Sequence, residues 1–421
     1  MIVSHAPPDD GIAATLTRAA AVAIAWDVVV VGAGPAGAAA AMALAARGVR
    51  VLLVDRAAMP RAKVCGSCLS PAALDELVRL AACAGDDAEL PPRAAPLGVV
   101  RLAAGGTCVR LPMPGGAVIS REALDPWLVR RAIAAGAHWL PGTGIAAIAA
   151  DTRGPAPLTV TTADGPHTPP AAIRTASCIL ATGLAGHVRI AAAPVSAAAD
   201  TAPHGRIGLG AVLRPDVARL PAGELVMAVG RTGYCGLVRL EDGRIDVAAA
   251  VDPAAVAASG PTRAVLAVLR ESGGSAAADV DEEAVAAAAL QATPRLTRML
   301  SPVADAAGRI LRIGDAAGYV EPFTGEGIGW ALASARLLVE AFVATGGHAV
   351  AGPPDRVAAA YTAAHRRHFG PRHARCGRVA RGLRMPTVVA ATMQAARLAP
   401  WVAGRLVPLI VGATDGGMRI R

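Results

Sequence analysis

At 421 residues the chain is long enough for two or three domains with sizeable cores. Alanine dominates, Asn is absent and Lys63 is the one lysine beside forty arginines, a coding bias that strips meaning from the 3% aromatic content and leaves Lys63 conspicuous. The net charge of +9 is concentrated late, with ten arginines and no Asp or Glu from Arg356 to Thr414; without an aromatic-rich basic motif this argues against nucleic acid and for an anionic membrane surface or an acidic partner.

Residues 1–24 read as an N-terminal extension of no clear fold. They lack a charged segment followed by an apolar run and a cleavage site, and the apolar stretch near Val22 runs straight into a strand, so a cytoplasmic protein is the expectation. Trp26 to Arg56, WDVVVVGAGPAGAAAAMALAARGVRVLLVDR, reads as strand, glycine turn, helix and strand. Val28 to Val31 is a β-branched run suited to burial on both faces. Gly32, Gly34 and Gly37 supply G-x-G-x-x-G: a tight turn, a close approach for a pyrophosphate, and a seat for the helix on the strand. Ala36 lies in that helix's first turn, where free N–H groups and the positive dipole end face the same pyrophosphate. Asp55 follows the glycines by about 20 residues, where an acid bonds a ribose 2′-OH. Arg56 and Arg61 beside it are expected cofactor contacts. The whole unit points to an adenine dinucleotide.

A loop, AAMPRAKVCGSCLSP, leads to a helix near Pro71 to Ala82 and to short strand-like runs between Leu97 and Ser120 separated by Gly-Gly turns. Arg121 to Gly136 reads as a helix with Leu124, Trp127, Leu128 and Ile133 at helical spacing, and Arg121 is a further expected cofactor contact. Apolar segments follow at Gly144 to Thr152 and Leu158 to Thr162, then a strand from Ser177 that ends in Ala181-Thr182-Gly183. Between Ala191 and Val251 the period becomes two, with strands at Ile207 to Leu213, Leu225 to Val229, Tyr234 to Leu240 and Arg244 to Ala250. The last two flank the hairpin turn Glu241-Asp242-Gly243. Helices are expected at Pro261 to Glu271, Glu282 to Gln291, Gly325 to Thr345 and Pro354 to Arg378, with two short ones closing the chain. No uncharged apolar run of 18 residues stands outside the alanine-rich nucleotide unit, so no membrane span is expected.

The second informative stretch runs from Arg309 to Ile328. A strand ends at Gly314-Asp315, which puts a carboxylate at a strand's carboxyl end, within reach of a ribityl hydroxyl. Thr324-Gly325-Glu326-Gly327 then opens a helix at Gly327 and Ile328 whose N-terminus can face a flavin and favour negative charge on it. With this half added, the dinucleotide becomes FAD.

G-x-G-x-x-G with Asp55, Ala181-Thr182-Gly183 and GDAAG…P-x-T-G-E-G together resemble the FAD-binding set of the p-hydroxybenzoate hydroxylase-like flavoproteins. PRAKVCGSCLSP is similar to the P-x-x-K-x-C-G-x-x-L element of their geranylgeranyl reductase-like branch. The resemblance covers residues 26 to about 345. It implies an α/β fold: a Rossmann-like FAD-binding domain of the glutathione reductase type, an inserted antiparallel-sheet substrate domain over the flavin, and a helical C-terminus. The expected division is residues 25–75, 115–190 and 296–345 for FAD, residues 76–114 and 191–295 for substrate, and residues 346–421 as a basic helical region. Tyr234, Pro322 and Phe323 are the expected substrate-pocket residues. Three differences from family patterns stand out. Thr182-Gly183 replaces the hydroxylases' Asp-Gly, and Gly186 replaces a Ser while Arg189 is kept. Tyr234-Cys235-Gly236-Leu237-Val238 stands where prenyl reductases carry Tyr-x-Trp-x-Phe-Pro, and the halogenases' Trp-x-Trp is absent.

The resemblance places Lys63 and Cys65 beside the flavin as candidate catalytic residues, with the nearby cations lowering the thiol pKa. The competing readings of Cys65-x-x-Cys68 are two small buried residues and, ranked below that, a redox disulfide. His365, His368, His373 and Cys376 suggest zinc spacing, but Pro371 is expected to break the register and seven arginines between Arg366 and Arg384 repel a cation. No metal is expected. Pro386 to Ala413 is read as a helical cap over the pocket or an amphipathic membrane contact.

The expected activity is FAD-dependent hydride transfer to or from a C=C bond of a hydrophobic small molecule. NAD(P)H or another donor serves as transient reductant, for no second G-x-G-x-x-G follows downstream. Aromatic hydroxylation by a single-component monooxygenase and a non-catalytic FAD-binding protein are the competing readings.

Overall fold

The computed structural model describes residues 11–83, 91, 93–151, 157–163, 169–191, 200–201, 205–273, 280–305, 307–321, 323, 325–346 and 354–399. Two eight-stranded sheets dominate it. The first is built on Ala25–Val31, the β-branched run, which pairs in parallel with Val51–Val54 on one side and Ala172–Leu180 on the other. His138–Leu140 extends it in parallel beyond Val51–Val54, and Ile310–Arg312 lies parallel to the far end of Ala172–Leu180. Ile145–Ala150 and Leu158–Thr162 form an antiparallel hairpin at the other edge.

Both faces of this sheet are covered, which explains the continuous valine run: Val28, Val29 and Val30 have no exposed surface. On one face lie helices Pro35–Ala45, Arg121–Ala134 and Gly327–Ala344, packed around Leu44, Leu128, Trp139 and Leu338. Pro35–Ala45 is buried at every residue, a packing that its alanines permit because they bring no bulk between neighbouring backbones. Gly327–Ala344 is long and apolar enough to cross a membrane, yet 61% of it is buried inside the fold, and its Arg336 pairs with Glu76 at 2.6 Å.

The second sheet runs in the order Gln291–Arg295, Ile207–Leu213, Ile245–Val251, Gly233–Arg239, Glu224–Val229, Ala95–Ala104, Thr107–Val118, Cys68–Leu69. It is antiparallel except where Glu224–Val229 meets Ala95–Ala104 in parallel, because that neighbour comes from the earlier crossing of the chain. Helix Pro261–Ser272 covers one face through Val265, Val268 and Leu269. The other face carries Leu225, Met227, Tyr234 and Val238.

Several elements differ from the sequence expectation. Residues Arg18–Ala23 form a helix, capped by Thr17 and tied to the first sheet by Trp26 Nε1, which donates to the Ala21 carbonyl at 2.9 Å. The runs between Leu97 and Ser120 are two long strands joined at Gly105-Gly106, and Thr107–Val118 crosses the expected 114/115 division. An extra helix, Pro253–Ser259, precedes Pro261–Ser272. Gln291 ends no helix: it starts an edge strand that pairs with Ile207–Leu213. Helix Pro354–Gly382 passes through Pro371 without breaking. Its residues Tyr361, His365, Phe369 and His373 recur every fourth position and stack on one another, the last two also on Trp330 at ring distances of 6.3 and 5.1 Å. That buried stripe offsets the roughly 3 kcal/mol a proline costs inside a helix. The arginines Arg366, Arg367, Arg378 and Arg381 face outward. Of the terminal apolar stretch, Pro386–Leu398 is helical and sets Met393 and Ala396 against the second sheet; residues 400–421 lie outside the described residues.

Candidate functional site

The two sheets enclose one long cleft of about 680 Å³. Its floor is the carboxyl end of the first sheet. Gly32 turns there with φ +104°, and a side chain on it would meet the Ala181 carbonyl oxygen at 2.4 Å. A Cβ on Gly37 would lie 1.8 Å from the Gly32 carbonyl oxygen, so the helix sits on the strand because this position has no side chain. Gly34 opens helix Pro35–Ala45 with no side-chain cap, leaving its first N–H groups turned to the cleft.

Asp55 is buried at the end of its strand. Its Oδ2 accepts from the Ala33 N–H at 2.7 Å and from Arg61 at 3.3 Å, and its Oδ1 accepts from the Ala57 N–H at 3.0 Å. A carboxylate has about four acceptor sites, so one remains for a ribose hydroxyl. Arg61 also reaches Asp125, 3.7 Å away. Arg121 grips the fully buried Asp125 with a two-pronged fork, 2.7 Å on each arm. Two guanidinium groups are thereby held beside Gly34, 3.5 and 3.9 Å from where a Cβ would be, in position for a pyrophosphate.

Lys63 and Asp315 meet further along the floor. The Lys63 ammonium would lie 3.2 Å from a Cβ on Gly183. Lys63 is open to the cleft by area but ringed by protein, and burial with the charges of Arg121 and Arg61 lowers its pKa against the opposing pull of Asp315. Burial raises the pKa of Asp315, with Lys63 and Arg121 opposing. Gly314, Gly325, Gly327 and Ile328 line the same stretch. Thr182 and Gly186 fit each other: a Cβ on Gly186 would stand 2.1 Å from the Thr182 Cβ, so the hydroxylases' Ser has no room here.

Over this floor the second sheet forms a roof of Leu225, Met227, Tyr234, Val238 and Ala248. Tyr234 stacks edge-on against Phe323 at 5.0 Å, and the Arg206 guanidinium lies 5.5 Å from its ring. Arg206, fully buried, pairs with Glu321 at 2.9 Å. Burial holds the phenols of Tyr234 and Tyr319 protonated.

The cleft thus brings together Gly32, Gly34, Ala36, Asp55, Arg56, Arg61, Lys63, Cys65, Arg121, Ala181, Thr182, Gly183, Tyr234, Gly314, Asp315, Phe323, Gly325, Gly327 and Ile328. Gly37 stands behind the turn and contacts Gly32 instead. Pro322 and Thr324 lie outside the described residues. The thiol expectation is corrected. Cys65 is raised, not lowered, because burial outweighs Arg121, and Arg61 and Lys63 are not among its main influences. Cys68 is pushed up further, by burial and Asp246, and both are free thiols. In the His-rich helix Pro371 does not break the register, and His365 and Cys376 are buried in packing; burial, with His373, lowers the His365 pKa to about 4. Among the described residues no group of three His, Cys, Asp or Glu side chains is placed to hold a metal.

Sequence reasoning missed Asp246, Ser67 and the Thr143-Gly144-Ile145 turn, all of which line the cleft. Asp246 had a signal: in IDVAAAV the period of two puts it on one face with Ala248 and Ala250.

The residues present fit FAD, with a glycine cradle and two arginines for the pyrophosphate, an acid for each sugar, and a helix N-terminus beyond. A family model described as FAD binding domain matches residues 25–352. Menaquinone reductase of Mycolicibacterium smegmatis (strain ATCC 700084 / mc(2)155) is 33% identical over 134 residues, 30% of this chain and 32% of that protein. The chain therefore matches about a third of that curated relative's length. PqsL from Pseudomonas aeruginosa, described as a probable FAD-dependent monooxygenase, is similar in structure with TM-score 0.65 and 20% identity over 87% of this chain and 99% of that one. A geranylgeranyl bacteriochlorophyll reductase-like protein from Thermoplasma acidophilum gives TM-score 0.64 and 16% identity over 92% and 99% of the two chains. At these identities the two structures show a shared fold.

Proposed function

The chain belongs to the FAD binding domain family and binds FAD, and from that premise we propose that it is an oxidoreductase acting on a C=C bond of a hydrophobic small molecule. The observation that carries this reading is a cleft with a polar, glycine-rich floor and an apolar roof, wide enough at about 680 Å³ for a cofactor part and a substrate together. Bound FAD supplies two-electron transfer. The chain's own residues do the rest. Gly32, Gly34, Arg61 and Arg121 take the pyrophosphate, Asp55 takes the adenosine ribose, and Asp315 takes the ribityl chain. Lys63 stands as a donor beside Asp315, which opposes the lowering of its pKa by burial. Cys65, a neutral thiol at physiological pH, serves as a hydrogen-bond or proton donor and not as a thiolate nucleophile. Leu225, Met227, Tyr234 and Val238 exclude water from the substrate.

NAD(P)H is the proposed reductant, docking transiently. The reductase reading is favoured over hydroxylation by the C-G loop and by the match to a protein named menaquinone reductase. Anaerobic reduction of the purified protein by NADH or NADPH, followed by reoxidation with candidate alkenes, tests it. Oxygen uptake matched to a hydroxylated product would transfer the assignment to a monooxygenase, and a flavin that no pyridine nucleotide reduces would point to a binding protein.

A cytoplasmic location with peripheral contact to an anionic membrane or acidic partner completes the proposal, supported by the outward Arg366, Arg367, Arg378 and Arg381. Sedimentation with anionic vesicles at low salt tests it; binding indifferent to vesicle charge would count against it.

A further inference from the structure

The roof of the cleft contains a carboxyl group with one oxygen that neither the fold nor FAD binding uses. Asp246 lies on strand Ile245–Val251, where its register neighbours are Val212 on one side and Val238 on the other, with Leu225 beyond. It is 5% exposed and lines the cleft. Its Oδ2 has no hydrogen-bond partner among the described residues. Among those residues it is also the one carboxyl that the second sheet turns to the cleft; Asp55 and Asp315 belong to the floor. A polar atom buried without a partner costs about 1–3 kcal/mol, so an unused acceptor in an apolar roof is an expense that structure does not explain.

We propose that Asp246 receives the polar end of the substrate, holding a carbonyl or hydroxyl oxygen of an otherwise apolar ring against the roof above Cys65 and Ser67. The assignment rests on the reading of the cleft as a substrate site. It narrows the substrate class to molecules whose double bond lies close to an oxygen, such as quinones and enones.

The surroundings say which form of the group does this. Ser67 hydrogen-bonds it, and the groups that act on it are Arg244 and Glu241 of the adjoining hairpin and Glu122 of helix Arg121–Ala134. The thiols Cys65 and Cys68 line the cleft with it and feel its charge, as does Cys235 from the other face of the sheet. Burial prevails over Ser67 and Arg244 and pushes its pKa up to about 7. Below that pH the carboxyl is neutral and donates to a carbonyl; above it, it can only accept.

The test is binding to the flavin-loaded full chain, followed by flavin fluorescence, with 1,4-naphthoquinone as probe and naphthalene as its oxygen-free control. Wild type should prefer the quinone about tenfold at about pH 6 and lose most of that preference by about pH 8. Asp246→Asn, which keeps a donor but cannot ionise, should hold the preference at both pH values. Asp246→Val should abolish it at both. A quinone preference surviving in Asp246→Val, or an unaltered pH dependence in Asp246→Asn, would overturn the proposal. Flavin content and reduction by NAD(P)H are read on the same samples. If both are normal while the quinone results fail, the Asp246 assignment falls alone; if wild type holds no reducible flavin, the oxidoreductase reading falls with it.

Discussion

The floor and the roof of the cleft differ in composition and in how the chain builds them. The floor is polar, charged and assembled from short local units: a glycine turn, a strand end with its acid, a helix N-terminus. Each can be recognised within about 20 residues because the chemistry of a dinucleotide demands them in that order. The roof is apolar and assembled from strands far apart in the chain, with Val212, Asp246, Val238 and Leu225 forming one row across four of them. A floor built this way commits the protein to a cofactor, whereas the roof is the wall we propose to select the substrate.

Substitutions at the floor should have the largest effects. Arg121→Ala should cost about 3–5 kcal/mol in urea denaturation, because it leaves the fully buried Asp125 without its fork and only Arg61 at 3.7 Å. The same variant should lose FAD. Gly37→Ala should follow at about 1–3 kcal/mol, with flavin retention falling alongside, since its methyl has to displace the Gly32 carbonyl. If either variant keeps wild-type flavin content, the floor is not the cradle described.

At the roof the expected effects depend on pH. Burial holds the Asp246 pKa near 7 against an ordinary 3.8, so the folded state binds a proton that the unfolded chain has released. Stability should therefore fall as pH rises from about 4 to about 7, by roughly 2–4 kcal/mol. Asp246→Asn should remove that slope while leaving flavin content unchanged, and a slope of wild-type size in the variant would show that Asp246 does not titrate as described. The smallest effect concerns the loop between the two walls. With its thiol raised by burial, Cys65 should react with iodoacetamide at neutral pH about tenfold or more slowly than a free cysteine, and accelerate with alkali. Cys65→Ala should lower turnover while retaining flavin; full turnover with unchanged substrate affinity would remove Cys65 from the site.

What was legible in the sequence follows the same division. The glycine turns, Asp55, Ala181 to Gly183 and Asp315 all arrive in one cleft because each is fixed by its own strand–turn–helix. The charge on Cys65 was misread because the sequence shows Lys63 and Arg61 close by but does not show the burial that outweighs cations. The helix from Pro354 was expected, but its unbroken register through Pro371 was missed for a similar reason: Pro371 is visible locally, while Trp330, which anchors the stripe running across it, comes from another helix. Asp246 required both kinds of knowledge, alternation along its strand and the identity of the strands beside it.

In the proposed arrangement one cleft holds a reducible flavin below and an oxygen-bearing apolar substrate above. Anaerobic absorbance of the purified full chain tests it most directly. About one FAD per chain is expected, bleached by NADH or NADPH and restored by 1,4-naphthoquinone without oxygen, with the restoration impaired in Asp246→Val. A chain that purifies and refolds without flavin, or whose flavin is restored equally well in Asp246→Val, would contradict it.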